Sequence, residues 1–139
     1  MTGRADVLAD VLAGRVAAGV HRWAGGADAD PCPAAREAGW RCATLDTAGV
    51  EDRAGLLAEL GAALDFPAHY GRNLDALHDC LRDLAEPTVL VWRGWGTPAL
   101  AEPRAFAGVV RVLGADRPGA ALEVVLVGPG PADAAPLLG

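Results

Sequence analysis

Two runs of nearly unbroken apolar residues, Val89-Leu90-Val91-Trp92 and Leu122 to Val127, with a helix-spaced segment between them, mark this chain as a small α/β domain. The sheet they imply is mainly parallel, of three or four strands, with crossover helices. Strands covered on both faces lose the polar alternation of half-exposed ones, and parallel neighbours need a helical return. The order strand, helix, helix, strand, helix, strand satisfies both conditions. With 139 residues, 52% hydrophobic and 22% charged, the chain can bury one compact core and is too short for two ordinary domains.

From the N-terminus, Leu8, Val11, Leu12 and Val16 recur at helical spacing within Asp6 to Ala17, with Asp6 and Asp10 on another side and Gly19 closing the segment. Val20-His21-Arg22-Trp23 has the length of an edge strand. Ala24 to Pro33, rich in Gly, Ala, Asp and Pro, reads as a loop before a helical turn at Ala34 to Ala38. Trp40 to Leu45 is a strand. A turn at Asp46 to Gly49 then leads into a helix from Glu51 to Leu64, which shows Leu56, Leu57, Leu60 and Leu64 on one face and stops at Phe66-Pro67. A second helix follows the loop Ala68 to Arg72. Between the two apolar strands, Pro103 to Leu113 carries Phe106, Val109, Val110 and Leu113 at helical spacing, and Pro103 is tolerated in the first turn. Gly128 to Gly139, dominated by Gly, Pro and Ala, reads as a flexible tail. The expected organisation is therefore an N-terminal extension over 1–41 packed on the domain, the domain proper over 42–127, and the tail over 128–139.

Composition removes several functions. The chain has no Lys, Ser, Ile or Gln, all twelve basic residues are Arg, and Asn73 is the lone Asn. A Schiff-base lysine, a phosphate-loop lysine and a serine nucleophile are thereby excluded. The longest stretch free of Asp, Glu, Arg and His, Val124 to Ala132, falls far short of the roughly 18 residues of a membrane span. Asp6 and Asp10 interrupt the place where a signal peptide needs an apolar run, so a cytoplasmic protein is expected. Three cysteines, Cys32, Cys42 and Cys80, are an odd number without C-x-x-C spacing, which favours buried reduced thiols over a disulfide framework or a zinc site.

The net charge of −6 is concentrated. Asp46 to Glu86 holds nine acids against Arg53, Arg72 and Arg82, while acids and arginines balance in the segments on either side. Such a surface repels nucleic acid and attracts a basic partner. At about 100° per residue, Leu74, Leu77, Leu81 and Leu84 share one narrow face of the second helix, and Asp75, Asp79 and Asp83 lie roughly 180° away. Asn73 fits a helix N-cap, and Asp75 suits the first turn. Those roles leave Asp79 and Asp83 unexplained, because like charges four residues apart cost roughly 0.2–0.5 kcal/mol per pair. Either Arg72 and Arg82 neutralise the row, or it docks into a cationic cleft. His69 and Tyr70, in the loop before the helix, are expected at the rim, each offering a flat apolar face and a polar tip. Asp75, His78 and Asp79 share a flank, but without a second ligand pair they do not predict a metal. Adjacent helical residues diverge, so His78-Asp79-Cys80 cannot act as a triad. Trp92 and Trp95 read as packing residues.

The run Phe66-Pro67-Ala68-His69-Tyr70-Gly71-Arg72-Asn73-Leu74-Asp75-Ala76-Leu77-His78-Asp79 fits the pattern [LF]-P-x-x-Y-G-x-N-L-D-A-L-x-D, and Pro87 to Arg93 fits P-x-V-L-x-W-R. In these motifs the chain resembles the barstar family, intracellular inhibitors of secreted ribonucleases, over about Ala43 to Val127. The resemblance implies a barstar-like layered fold and an inhibitor that plugs a nuclease active site with its acidic helix and the preceding loop, with Asn73, Asp75 and Asp79 at the matching positions and Asp79 as the central anion. His69 and His78 stand where the family has Tyr and Trp, and a late family Glu has no clear counterpart near Asp116. These departures point to a nuclease other than barnase. The expected partner-binding set is His69, Tyr70, Asn73, Asp75, His78, Asp79 and Asp83, with no cofactor, no metal and no catalytic residue. The partner is a basic secreted ribonuclease or toxin held by a monomer in a 1:1 complex, with no direct nucleic acid or membrane binding. A regulatory module with a non-nuclease cationic partner is the alternative, and an enzyme the weakest reading.

Overall fold

The structure, a computed structural model, describes residues 4–15, 17–23, 30–67, 70–116, 118–131 and 137–138. Its elements are α1 (Arg4–Leu12), β1 (Val20–Trp23), α2 (Cys32–Glu37), β2 (Arg41–Asp46), α3 (Arg53–Ala63), α4 (Leu74–Arg82), β3 (Thr88–Arg93), α5 (Gly96–Ala101), α6 (Pro103–Gly114), β4 (Leu122–Val127) and β5 (Leu137–Leu138). The strands form one sheet in the order β2-β3-β4-β1-β5, and every pairing is parallel. Four strands of full length and the two-residue β5 thus realise the expected small parallel sheet.

Alternation along the two central strands divides the interior into two clusters. Leu90 and Trp92 of β3, with Leu122, Val124 and Leu126 of β4, pack against Leu56, Leu57 and Leu60 of α3, Leu77 and Leu81 of α4, and Phe106, Val109 and Leu113 of α6. Val89, Val91, Val125 and Val127 point to the opposite face and meet Cys32 and Ala35 of α2, with Leu12, Trp23, Trp40 and Cys42 around them. Both faces being covered explains why these strands lack polar alternation. Trp92 and Trp95 are fully buried, and each ring lies beside Phe106, at centroid distances of 5.4 and 6.0 Å. The Trp92 indole donates to the Thr47 hydroxyl at 2.9 Å, and that hydroxyl donates to the Gly94 carbonyl at 3.0 Å. Gly94 has φ 65°, and a Cβ there would stand 2.4 Å from the Ala48 nitrogen, so glycine is required at this turn.

Three expectations are corrected, and one element is new. Val20–Trp23 is an interior strand, because the chain returns at its far end and β5 pairs with β1 outside it. Leu137–Leu138, expected in a tail, supply that pairing, while residues 132–136 lie outside the described residues. Cys32 and Cys42 are joined in a disulfide with Cα atoms 5.5 Å apart, and Cys80 alone is free. Spacing concealed the bond because the nine residues between them turn back, laying α2 across the start of β2. Finally, α5 was not anticipated. Burial of Gly96, Pro98 and Ala99 holds it in place.

β1 is fastened to β4 by more than its ladder. Glu123, fully buried, receives His21 Nδ1 at 2.8 and 3.1 Å on its two carboxylate oxygens and the Gly19 N–H at 2.9 Å. The hydrogen bond that His21 donates to Glu123 raises the His21 pKa; burial opposes the rise, and the charge of Glu123 adds to it.

Candidate functional site

The site is built on α4 and the turn before it. The Asn73 side-chain oxygen accepts the Ala76 N–H at 2.7 Å, so Asn73 caps the helix as its position predicts. Leu77 and Leu81 are buried, Leu74 and Leu84 are partly buried, and Asp75, Asp79 and Asp83 are all exposed. The two faces counted from the sequence are therefore the two faces observed. Among the described residues, none of the three carboxylates is within ion-pair distance of a cation; the pairs present are Arg15–Asp10, His21–Glu123 and Arg41–Asp65. Arg72 and Arg82 do not neutralise the row.

That arrangement is unfavourable to the free helix. Asp79 stands between two like charges on adjacent turns, and Asp83 is the C-cap, at the end where the helix dipole is already negative. Only Asp75, in the first turn, gains from its place. His78 is half-buried on the same helix. His69 lies outside the described residues.

Tyr70 does not present the exposed polar tip expected of it. Its ring packs edge-on against Phe66 with centroids 5.0 Å apart, and its hydroxyl is buried with no hydrogen-bond partner among the described residues. Burial, then the nearby Cys80, pushes its pKa up to about 12 against the opposing effect of Arg72. Its polar tip is thus turned away from solvent, and Tyr70 buttresses the loop. Gly61 makes room for it: a Cβ there would lie 2.7 Å from two ring carbons. Gly61→Ala is accordingly expected to displace Tyr70, costing about 1–3 kcal/mol by overpacking and weakening partner binding through the loop. Urea unfolding together with a binding titration checks both effects.

A cavity of about 600 Å³ opens beside α4, with Asp79, Cys80 and Asp83 on one wall and Leu64, Phe66 and Pro67 on another. Arg41, paired with Asp65 at 2.6 Å, also lines it. Neither residue was singled out from the sequence, although Asp65 directly precedes the Phe66-Pro67 motif. Asp65 has φ 55° and closes α3: its own N–H and that of Phe66 donate back to Ala62 and Gly61. Burial first, then the charges of Asp83 and Asp79, pushes the Cys80 thiol pKa up, which disfavours the nucleophilic thiolate. Among the described residues, no group of three or more His, Cys, Asp or Glu is arranged to hold a metal ion, and no helix is long and apolar enough to cross a membrane.

The family model described as barstar, the barnase inhibitor, matches residues 40–123, which takes in the strand before the site, both helices that frame it and the strand after it. The chain belongs to the barstar family. No curated protein matches the chain. The barstar match leaves out α1, β1, α2, β5 and all but the first two residues of β4; α2 packs against the matched strand β3, whereas β1 pairs with β4 at 124–126, beyond the match. It does take in every residue of the α4 site, so the acidic helix lies wholly within the barstar portion of the chain.

Proposed function

We propose that this chain inhibits a basic secreted ribonuclease, or a ribonuclease-type toxin, by laying α4 and the loop before it across the nuclease's active site. The observation that carries the reading is the set of exposed carboxylates, without an ion-pair partner among the described residues, on a capped helix whose opposite face is locked into the core. Asp79, at the centre of the row, occupies the place of a substrate phosphate, with Asp75 and Asp83 on either side and His78 on the same helix. Asn73 holds the helix start, Tyr70 holds the loop, and His69 extends the contact. Binding is 1:1 by a monomer and involves no RNA, cofactor or metal, and the chain acts as a blocker rather than a catalyst. The His at positions 69 and 78 favours a nuclease other than barnase. An intracellular setting, as the barstar family implies, keeps thiols reduced, whereas the structure joins Cys32 to Cys42.

The test is to titrate the protein into RNA-cleavage assays with a panel of basic secreted ribonucleases, barnase among them. Stoichiometric inhibition that weakens steeply as salt rises from about 50 to 500 mM is expected, because the interface is charge against charge. Failure to inhibit any of them, with capture of a cationic protein that is not a nuclease, would support the regulatory-module alternative. Asp83→Asn is expected to move stability and binding in opposite directions. Removing a negative charge from the helix C-terminus stabilises the free protein by about 0.3–1 kcal/mol, while affinity for the nuclease falls. Thermal melts and inhibition constants measured on the same preparation read both signs.

A further inference from the structure

We infer that the Cys32–Cys42 disulfide is a redox latch: it holds α2 and the end of α1 over one face of the sheet, and its reduction releases that cover while the layer carrying α4 stays folded. The inference is independent of the proposed inhibition.

The bond joins the first residue of α2 to the second residue of β2, so it ties a segment outside the barstar match to the first strand within it. α2 has six residues, too few to persist as a helix alone, and the Asp30 carboxylate that accepts the Cys32 N–H at 3.0 Å is a local contact that does not tie it to the sheet. Its other buried anchor is Ala35, a small residue. A hydrogen bond from the Trp40 indole to the Leu12 carbonyl, 3.1 Å, connects the end of α1 to the turn between α2 and β2. Loss of the covalent tie therefore loosens α2, Trp40 and the end of α1 together. The release has a natural limit. β1 is held in the sheet by its ladder to β4 and by the His21–Glu123 pair. The larger cluster, on the face of α3, α4 and α6, has no residue in common with the cluster under α2.

The chemistry balances with a dithiol as reductant. One thiolate attacks a sulfur of the pair, with Cys42 the less buried of the two residues, and breaks the S–S bond to form a mixed disulfide. The second thiolate of the reductant then closes on the first and expels the remaining cysteine. Two electrons and two protons pass to Cys32 and Cys42, and the reductant leaves as a cyclic disulfide. A disulfide oxidant reverses the step. Cys80, on α4 in the opposite layer, takes no part.

Thiol titration of the denatured, unreduced full chain is expected to find one reactive thiol. Amide hydrogen exchange with and without dithiothreitol is then expected to show exchange across 31–40 accelerating by about tenfold or more on reduction, with 74–82 and 122–127 unchanged. The double variant Cys32→Ser/Cys42→Ser should reproduce the reduced pattern without reductant, and if it does not fold, the reduced wild-type chain decides. Three reactive thiols, or unchanged protection over 31–40 after reduction, would overturn the latch. So would loss of protection at 74–82, which would make the bond a staple of the whole fold.

Discussion

Asp79→Ala is expected to lose most of the inhibition while leaving the free protein at least as stable. The carboxylate is exposed, has no cation within ion-pair distance among the described residues, and sits one turn from each of Asp75 and Asp83. In the complex, a nuclease cationic group desolvated against Asp79 would be left without its counter-charge. Truncating one member of such a pair costs about 2–5 kcal/mol, a range set partly by the barnase–barstar complex of this same family and carried over from it. That corresponds to roughly 30-fold to several-thousand-fold in affinity. In the free protein the same change relieves two like-charge contacts of roughly 0.2–0.5 kcal/mol each and introduces the best helix former. Inhibition constants and thermal melts of the two proteins provide the check. Inhibition by Asp79→Ala equal to the wild type would remove the phosphate-mimic reading, whatever partner was found.

The largest effect on stability is expected at His21. Glu123 is fully buried, and among the described residues its charge is met, apart from the Gly19 N–H, by this one imidazole. His21→Ala strands the carboxylate, at a cost of about 3–5 kcal/mol, whereas replacing both residues with apolar ones, as in His21→Leu/Glu123→Met, is expected to recover most of the loss. The pH dependence follows from the raised pKa of His21. A histidine whose folded value lies above its unfolded one stabilises fully below the unfolded value of 6.5 and loses that contribution as pH rises through the folded value. The gap in melting temperature between wild type and His21→Ala should thus be widest near pH 6 and narrow towards pH 9. A gap independent of pH would show that the imidazole acts by packing alone.

Much of the site was legible in advance because α4 displays its chemistry at a local period. Four leucines on one arc and three aspartates on the other are a statement about which face meets water, and folding had only to supply the core. The same holds for β3 and β4, whose uninterrupted apolar residues require cover on both sides, and for the Asn73 cap, a contact three residues long. The buried hydroxyl of Tyr70 was not legible because its ring packs over Gly61, nine positions earlier on α3. Arg41 and Asp65 were missed for a similar reason: β2 and the end of α3 become neighbours only when the crossover closes.

The residues themselves settled the parallel α/β plan, the acidic face of α4 and its cap, since hydrophobic period and capping are properties of short windows that burial and water read directly. Where the chain returns belonged to the folded molecule. The insertion of β1 between β4 and β5, the meeting of Cys32 with Cys42, and the burial of Glu123 against His21 each join segments by long-range closure, and no local periodicity encodes which distant strand a segment will choose.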